Sequence, residues 1–117
     1  MTQFGKMLRR ERKERKWLLG EMADRLGISV PYLSQIETGV KPVKEGLLKK
    51  IIAELGLSST EANALRRAAA QAMTEFSIQV GRRASTDDRF LASQLAAGFA
   101  RMSPDQKRRL RELVEDK

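Results

Sequence analysis

Residues 19–37 read LGEMADRLGISVPYLSQIE, and the spacing within this stretch decides the fold. Leu19, Met22, Ala23 and Leu26 recur at the i, i+3, i+4, i+7 interval of a one-sided helix. Gly27 stops that helix, because it takes the left-handed backbone conformation at little cost. Ser29 supplies a side-chain acceptor to cap a new helix, and Pro31 is tolerated in the first turn, where its missing N–H has no helical partner to lose. Leu33 and Ile36 point inward, and Gly39 ends this second helix. Two short helices about a glycine turn make a helix-turn-helix. Ala23 is small where the two helices cross, while Met22, Leu26, Ile28, Leu33 and Ile36 close the inner faces. The outward residues of the second helix, Val30, Pro31, Tyr32, Ser34 and Gln35, are mostly small or polar. A face of that size fits the major groove of B-form DNA.

Working outward, the segment before the motif is basic. Residues 1–16 carry Lys6, Arg9, Arg10, Arg12, Lys13, Arg15 and Lys16 against Glu11 and Glu14, so most of the chain's net charge of +8 lies here. Thr2 is the expected N-cap of a helix whose inner face holds Phe4 and Leu8. After the motif, Lys41-Pro42 reads as a turn. A fourth helix follows with Val43, Leu47, Leu48, Ile51 and Leu55 as its stripe, ended by Gly56. Ser58 with Glu61 is a capping box that opens a fifth, Ala-rich helix running to about Ala72. The pattern then changes. Phe76, Ile78 and Val80 alternate with polar residues, a strand signal. A lone strand is not stable, so this one needs a partner. Ser85 or Thr86 begins another helix with the stripe Leu91, Leu95, Phe99 and Met102. Ser103-Pro104-Asp105-Gln106 starts a last helix carrying Leu110, Leu113 and Val114. Its basic cluster, Lys107, Arg108, Arg109 and Arg111, is followed by Glu112, Glu115 and Asp116 and reads as a solvated face.

Composition narrows the function classes. The chain has 117 residues, no Cys and no His. Disulfides, Cys/His zinc sites and catalysis through an imidazole or thiol are excluded. No nucleophile–base constellation of Ser, Lys, Asp or Glu stands out, so an enzyme is not expected, nor is a metal or other cofactor. Hydrophobic residues make up 41% of the chain, enough for a core, and no apolar run is long enough for a membrane span. A soluble, cytoplasmic protein with a polyanionic partner fits this balance, nucleic acid first.

Leu8-Arg9, Arg12, Glu21-Met22-Ala23, Leu26-Gly27, Tyr32-Leu33-Ser34, Ile36-Glu37 and Gly39 together resemble the lambda-repressor/Cro-like helix-turn-helix proteins, the XRE family. The resemblance covers about residues 4–57. It implies a compact five-helix domain and a transcription regulator, commonly a repressor, that binds operator DNA as a dimer. It assigns base contact to Val30, Pro31, Ser34 and Gln35. Gln35 leads, because its amide can bond adenine N6 and N7 together. It assigns the DNA backbone to Tyr32, Thr38, Lys41 and Lys44, and the basic run beside a recognition helix adds phosphate contact by Lys6, Arg9 and Arg10. In this family a buried Arg–Glu pair commonly joins the first helix to the end of the recognition helix, and Arg12 and Glu37 occupy those places. Two positions depart from the family pattern. Leu18 stands where Thr or Ser often caps the second helix, and Leu19 where Gln often binds DNA.

The expectation is therefore an all-α, five-helix lambda-repressor-like DNA-binding domain over residues 1–72. A short strand and two helices over 73–117 follow it and dimerise it through Phe76, Ile78, Val80, Leu91, Leu95 and Phe99. The expected partners are double-stranded operator DNA and a second copy, with no membrane. An alternative keeps the DNA-binding domain but gives the C-terminal region to another protein, as in an antitoxin. The basic run on the first helix also fits a plain solvated face.

Overall fold

A computed structural model describes residues 1–115. Asp116, read above as part of the acidic end of the last helix, lies outside them. Among the described residues the chain is all helical. It comprises α1 (Gln3–Glu14), α2 (Leu19–Leu26), α3 (Val30–Thr38), α4 (Glu45–Leu55), α5 (Ser59–Ala70), α6 (Thr86–Gly98) and α7 (Pro104–Glu115), with a 3-10 turn at Phe99–Arg101. It divides into two compact units, one from Met1 to Phe76 and one beginning at Ser77.

Local chemistry starts most of these helices. Thr2 Oγ1 accepts from the Gly5 N–H at 3.0 Å, Ser29 Oγ from Tyr32 at 3.2 Å, and Ser85 Oγ from Asp88 at 3.0 Å. Ser58 and Glu61 cap each other reciprocally at 3.2 and 3.0 Å, as Ser103 and Gln106 do at 3.1 and 2.8 Å. Each bond satisfies an amide that the first helical turn leaves without a partner. At α2 the N-cap is Leu18, which has no side-chain acceptor; only its own N–H is bonded, to Glu21 Oε1 at 3.3 Å. Gly27 closes α2 at φ 68°, the conformation that turns the chain into α3.

The core of the first unit is drawn from all five of its helices. Phe4 and Leu8 of α1 meet Met22, Ala23 and Leu26 of α2, Leu33 and Ile36 of α3, Leu48, Ile51 and Leu55 of α4, and Leu65, Ala68 and Ala69 of α5. Val43 is buried with them but precedes α4 rather than belonging to its stripe. Trp17, half-buried at the edge of this core, follows Lys16, whose φ of 57° reverses the chain after α1.

The expected strand over Phe76–Val80 is absent, and residues 74–81 have no regular secondary structure. Alternation supplies a two-faced strip, but a strand also needs a neighbouring strand to pair with, and no strand is present among the described residues. Phe76 and Ile78 are exposed. The stripe expected on α6 is also cut short, since the helix ends at Gly98 and Phe99 lies in the 3-10 turn. Neither α6 nor α7 has a buried residue.

Candidate nucleic-acid interface

The interface is organised by how α3 is held. Successive residues turn about 100° around a helix, so Leu33, Ile36 and Glu37 share one side while Pro31, Ser34, Gln35 and Thr38 share the other. The burial follows this division. Leu33, Ile36 and Glu37 are buried; Pro31 and Thr38 are exposed, Val30 is 43% exposed, and Tyr32, Ser34 and Gln35 are half-buried. Pro31, Ser34 and Gln35 thus lie on the outer side, whereas Val30 falls in line with Glu37 and is accessible as the first residue of the helix.

The inner side contains one charge. Glu37 is 1% exposed. Arg12 donates to both of its oxygens, Nε to Oε2 at 2.9 Å and Nη2 to Oε1 at 3.2 Å. Arg9 adds a third bond from Nε to Oε1 at 3.3 Å. A carboxylate this deep depends on such partners, because burying it alone would cost several kcal/mol. Arg12 also donates through Nη1 to the Trp17 carbonyl at 3.1 Å. One side chain therefore joins α1, the turn before α2, and the end of α3.

This changes how the basic run on α1 reads. Arg9 and Arg12 are engaged with Glu37. Arg15 donates to Glu11 Oε2 at 2.7 Å and to the Leu55 carbonyl at 2.6 Å, which ties α1 to the end of α4. Lys6, Arg10 and Lys13 remain exposed, beside Arg9, on the outward side of α1. Arg25 of α2 stacks on Trp17, its guanidinium carbon 4.3 Å from the ring centroid, and Arg15 lies 5.6 Å from the same ring. Charge counting gives no signal for these structural roles. The family resemblance pointed to the Arg12–Glu37 pair, and the i, i+4 spacing to Glu11 and Arg15; the roles of Arg9 and Arg25 had no signal.

Of the remaining backbone-contact candidates, Tyr32 lies in the first turn of α3, Thr38 ends it, and Lys41 and Lys44 follow in the turn to α4. Lys41 Nζ lies 5.9 Å from the Tyr32 ring centroid, and the Lys41 N–H donates to the Gln35 carbonyl at 3.1 Å. Thr38 Oγ1 donates back to the Ser34 carbonyl at 2.9 Å, so its proton is directed along the helix. Lys44 is exposed at the start of α4. In the second unit, Leu91 is 64% exposed and Phe99 49%, Leu95 and Val80 are half-buried, and Phe90, Leu113 and Val114 are exposed as well. Arg108 and Arg109 both pair with Asp105, the latter at 3.1 Å. Among the described residues no group of three or more acidic side chains is placed to hold a metal ion, and no helix is long and apolar enough to cross a membrane.

Five packed helices, with the third seated by a buried ion pair and presenting a small, polar outer side next to exposed lysines, define a DNA-binding helix-turn-helix domain. Residues 8–61 match the helix-turn-helix family, so this segment is a helix-turn-helix domain of the lambda-repressor-like, XRE type, which supports a DNA-binding regulator. No curated protein and no solved structure matches the chain.

Proposed function

We propose that the protein recognises a pseudo-palindromic operator as a homodimer and represses transcription by occupying it. The observation that carries this reading is the division of α3, with Glu37 locked inward while Pro31, Ser34, Gln35 and Thr38 share the opposite side. In this reading α3 enters the major groove. Gln35 bonds an adenine edge, Ser34 a neighbouring base, and Val30 and Pro31 a thymine methyl. Lys6, Arg10, Tyr32, Lys41 and Lys44 hold phosphates, and Arg9 does so with the guanidinium nitrogens that Glu37 leaves available. Thr38 borders the same strand.

Dimerisation is assigned to residues 73–117. Two helices of 13 and 12 residues without a buried side chain are marginal in water. Covering Leu91, Leu95, Phe99, Phe76, Ile78 and Val80 against a second copy removes that liability. The dimer then matches half-sites about one turn, roughly 34 Å, apart. The same surface would serve a protein of another kind, and the mass of the purified chain separates the two cases. A dimer by light scattering, reduced to a monomer by Leu91→Asp with the first unit still folded, supports self-association. A monomer at micromolar concentration refutes it. For the DNA side, Gln35→Ala should relax base choice at one position per half-site, at a cost of about 1–3 kcal/mol. Equal weakening on every sequence would remove Gln35 from the reading face.

A further inference from the structure

We infer that Gly5 is a positioning residue for DNA reading: its missing side chain lets the backbone of Glu37 rest against α1 and so sets how α3 is presented. The inference rests on the proposal that α3 reads bases. A Cβ on Gly5 would stand 2.0 Å from the Glu37 carbonyl oxygen and 2.8 Å from its carbon. Ordinary carbon–oxygen contact needs about 3.3 Å, so the end of α3 would have to back away by on the order of 1 Å. The obstacle is backbone, which cannot swing aside as a side-chain tip can.

A second close approach lies alongside the first. A Cβ on Gly39, the residue after α3, would stand 2.6 Å from Thr2 Cγ2, and Thr2 is the residue that caps the Gly5 N–H. Gly5, Arg9 and Arg12 follow at i, i+4 and i+7 along one side of α1. The same point of α3 is therefore held at three heights: by backbone contact at Gly5, and by the Glu37 carboxylate at Arg9 and Arg12. Ser34 and Gln35 precede Glu37 within the same helix, so a shift of the Glu37 backbone carries them with it. A two-bond amide–base pair works only near 2.7–3.2 Å and does not survive a displacement on the order of 1 Å. Lysine contacts to phosphate, made by long flexible chains, do. Gly5 therefore bears on discrimination between sequences more than on attraction to DNA.

The test compares full-length variants on two duplexes of equal length, one selected from a random pool by the wild type and one scrambled. Gly5→Ala should fold, by circular dichroism. It should lose about tenfold or more on the selected duplex, the worth of one base pair contact, and less than about twofold on the scrambled one, where only phosphates are read. Gly46→Ala is the control, because a Cβ there meets open space; it should bind both as the wild type does. A folded Gly5→Ala that keeps wild-type discrimination, or that weakens equally on both duplexes, overturns the inference. Should Gly5→Ala not fold, Thr2→Ser decides: it removes the methyl at Gly39 and keeps the capping hydroxyl. A selected-to-scrambled ratio reduced about two- to fivefold supports the seat, on the scale of a partly weakened base contact, and an unchanged ratio overturns it. A wild type that does not discriminate at all overturns the base-reading proposal itself, and this inference with it.

Discussion

Arg12→Ala probes the join between α1 and the recognition helix. It strips two hydrogen bonds from a carboxylate whose side chain is 2% exposed, at 2.9 and 3.2 Å, and a third from the Trp17 carbonyl at 3.1 Å. Removing one partner of a buried pair costs about 3–5 kcal/mol, because the other charge is left in a poor solvent. Arg9 still reaches Oε1 at 3.3 Å, but its own side chain is 39% exposed and it touches only one of the two oxygens. That places the loss at the lower end, about 3 kcal/mol. For a domain of this size such a loss lowers Tm by about 12–24 °C. Arg9→Ala, the exposed member with a single bond, should cost about 1 kcal/mol or less. Arg12→Met with Glu37→Leu removes both charges together and should recover more than half of the Arg12→Ala loss. Urea unfolding followed by far-ultraviolet circular dichroism reads all three. An Arg12→Ala protein destabilised by less than about 1 kcal/mol, the ordinary range of a surface change, would refute the claim that this pair seats α3.

Leu18→Ser supplies the acceptor that the start of α2 lacks, and stability should rise by about 1 kcal/mol in the same assay. Lys41→Ala should weaken binding to all sequences and flatten the slope of log affinity against log salt by about one unit per site; an unchanged slope would remove Lys41 from the phosphate contacts. Glu61 titrates below its usual value of 4.5, first because the Ser58 N–H and then the Ser58 side chain bond its carboxylate, with a smaller contribution from Arg15. A depressed carboxylate stabilises the fold above its ordinary value, and that contribution is lost as pH falls through the lowered one. Unfolding measured across this acid range should therefore fall less steeply for Glu61→Gln than for the wild type.

The parts of the fold that were legible in the sequence are those fixed by near neighbours. Thr2, Ser29, Ser58, Ser85 and Ser103 each cap a helix by reaching three residues ahead, and Gly27 turns the chain where it stands, so spacing alone reveals them. What was missed depends on distant partners. The alternation of Phe76, Ile78 and Val80 describes a strip with two faces, but nothing in it says whether another strand will pair with it. The charge on residues 1–16 likewise conceals that Arg15 bonds the Leu55 carbonyl, forty positions along the chain, and that Arg9 turns to Glu37. Gly5 drew no reading from the sequence, because its role arises from a backbone that crosses it from α3.

The central claim is that α3 reads base sequence, with Gln35 foremost. Selection of bound duplexes from a random pool, carried out with the wild type and with Gln35→Ala at several salt concentrations, tests it most directly. The account expects the wild type to enrich a two-fold-related site with half-sites about one helical turn apart. The variant should enrich the same site with one position per half-site relaxed, at every salt concentration. A wild-type pool that stays random, or a variant pool identical to the wild-type one, would contradict it.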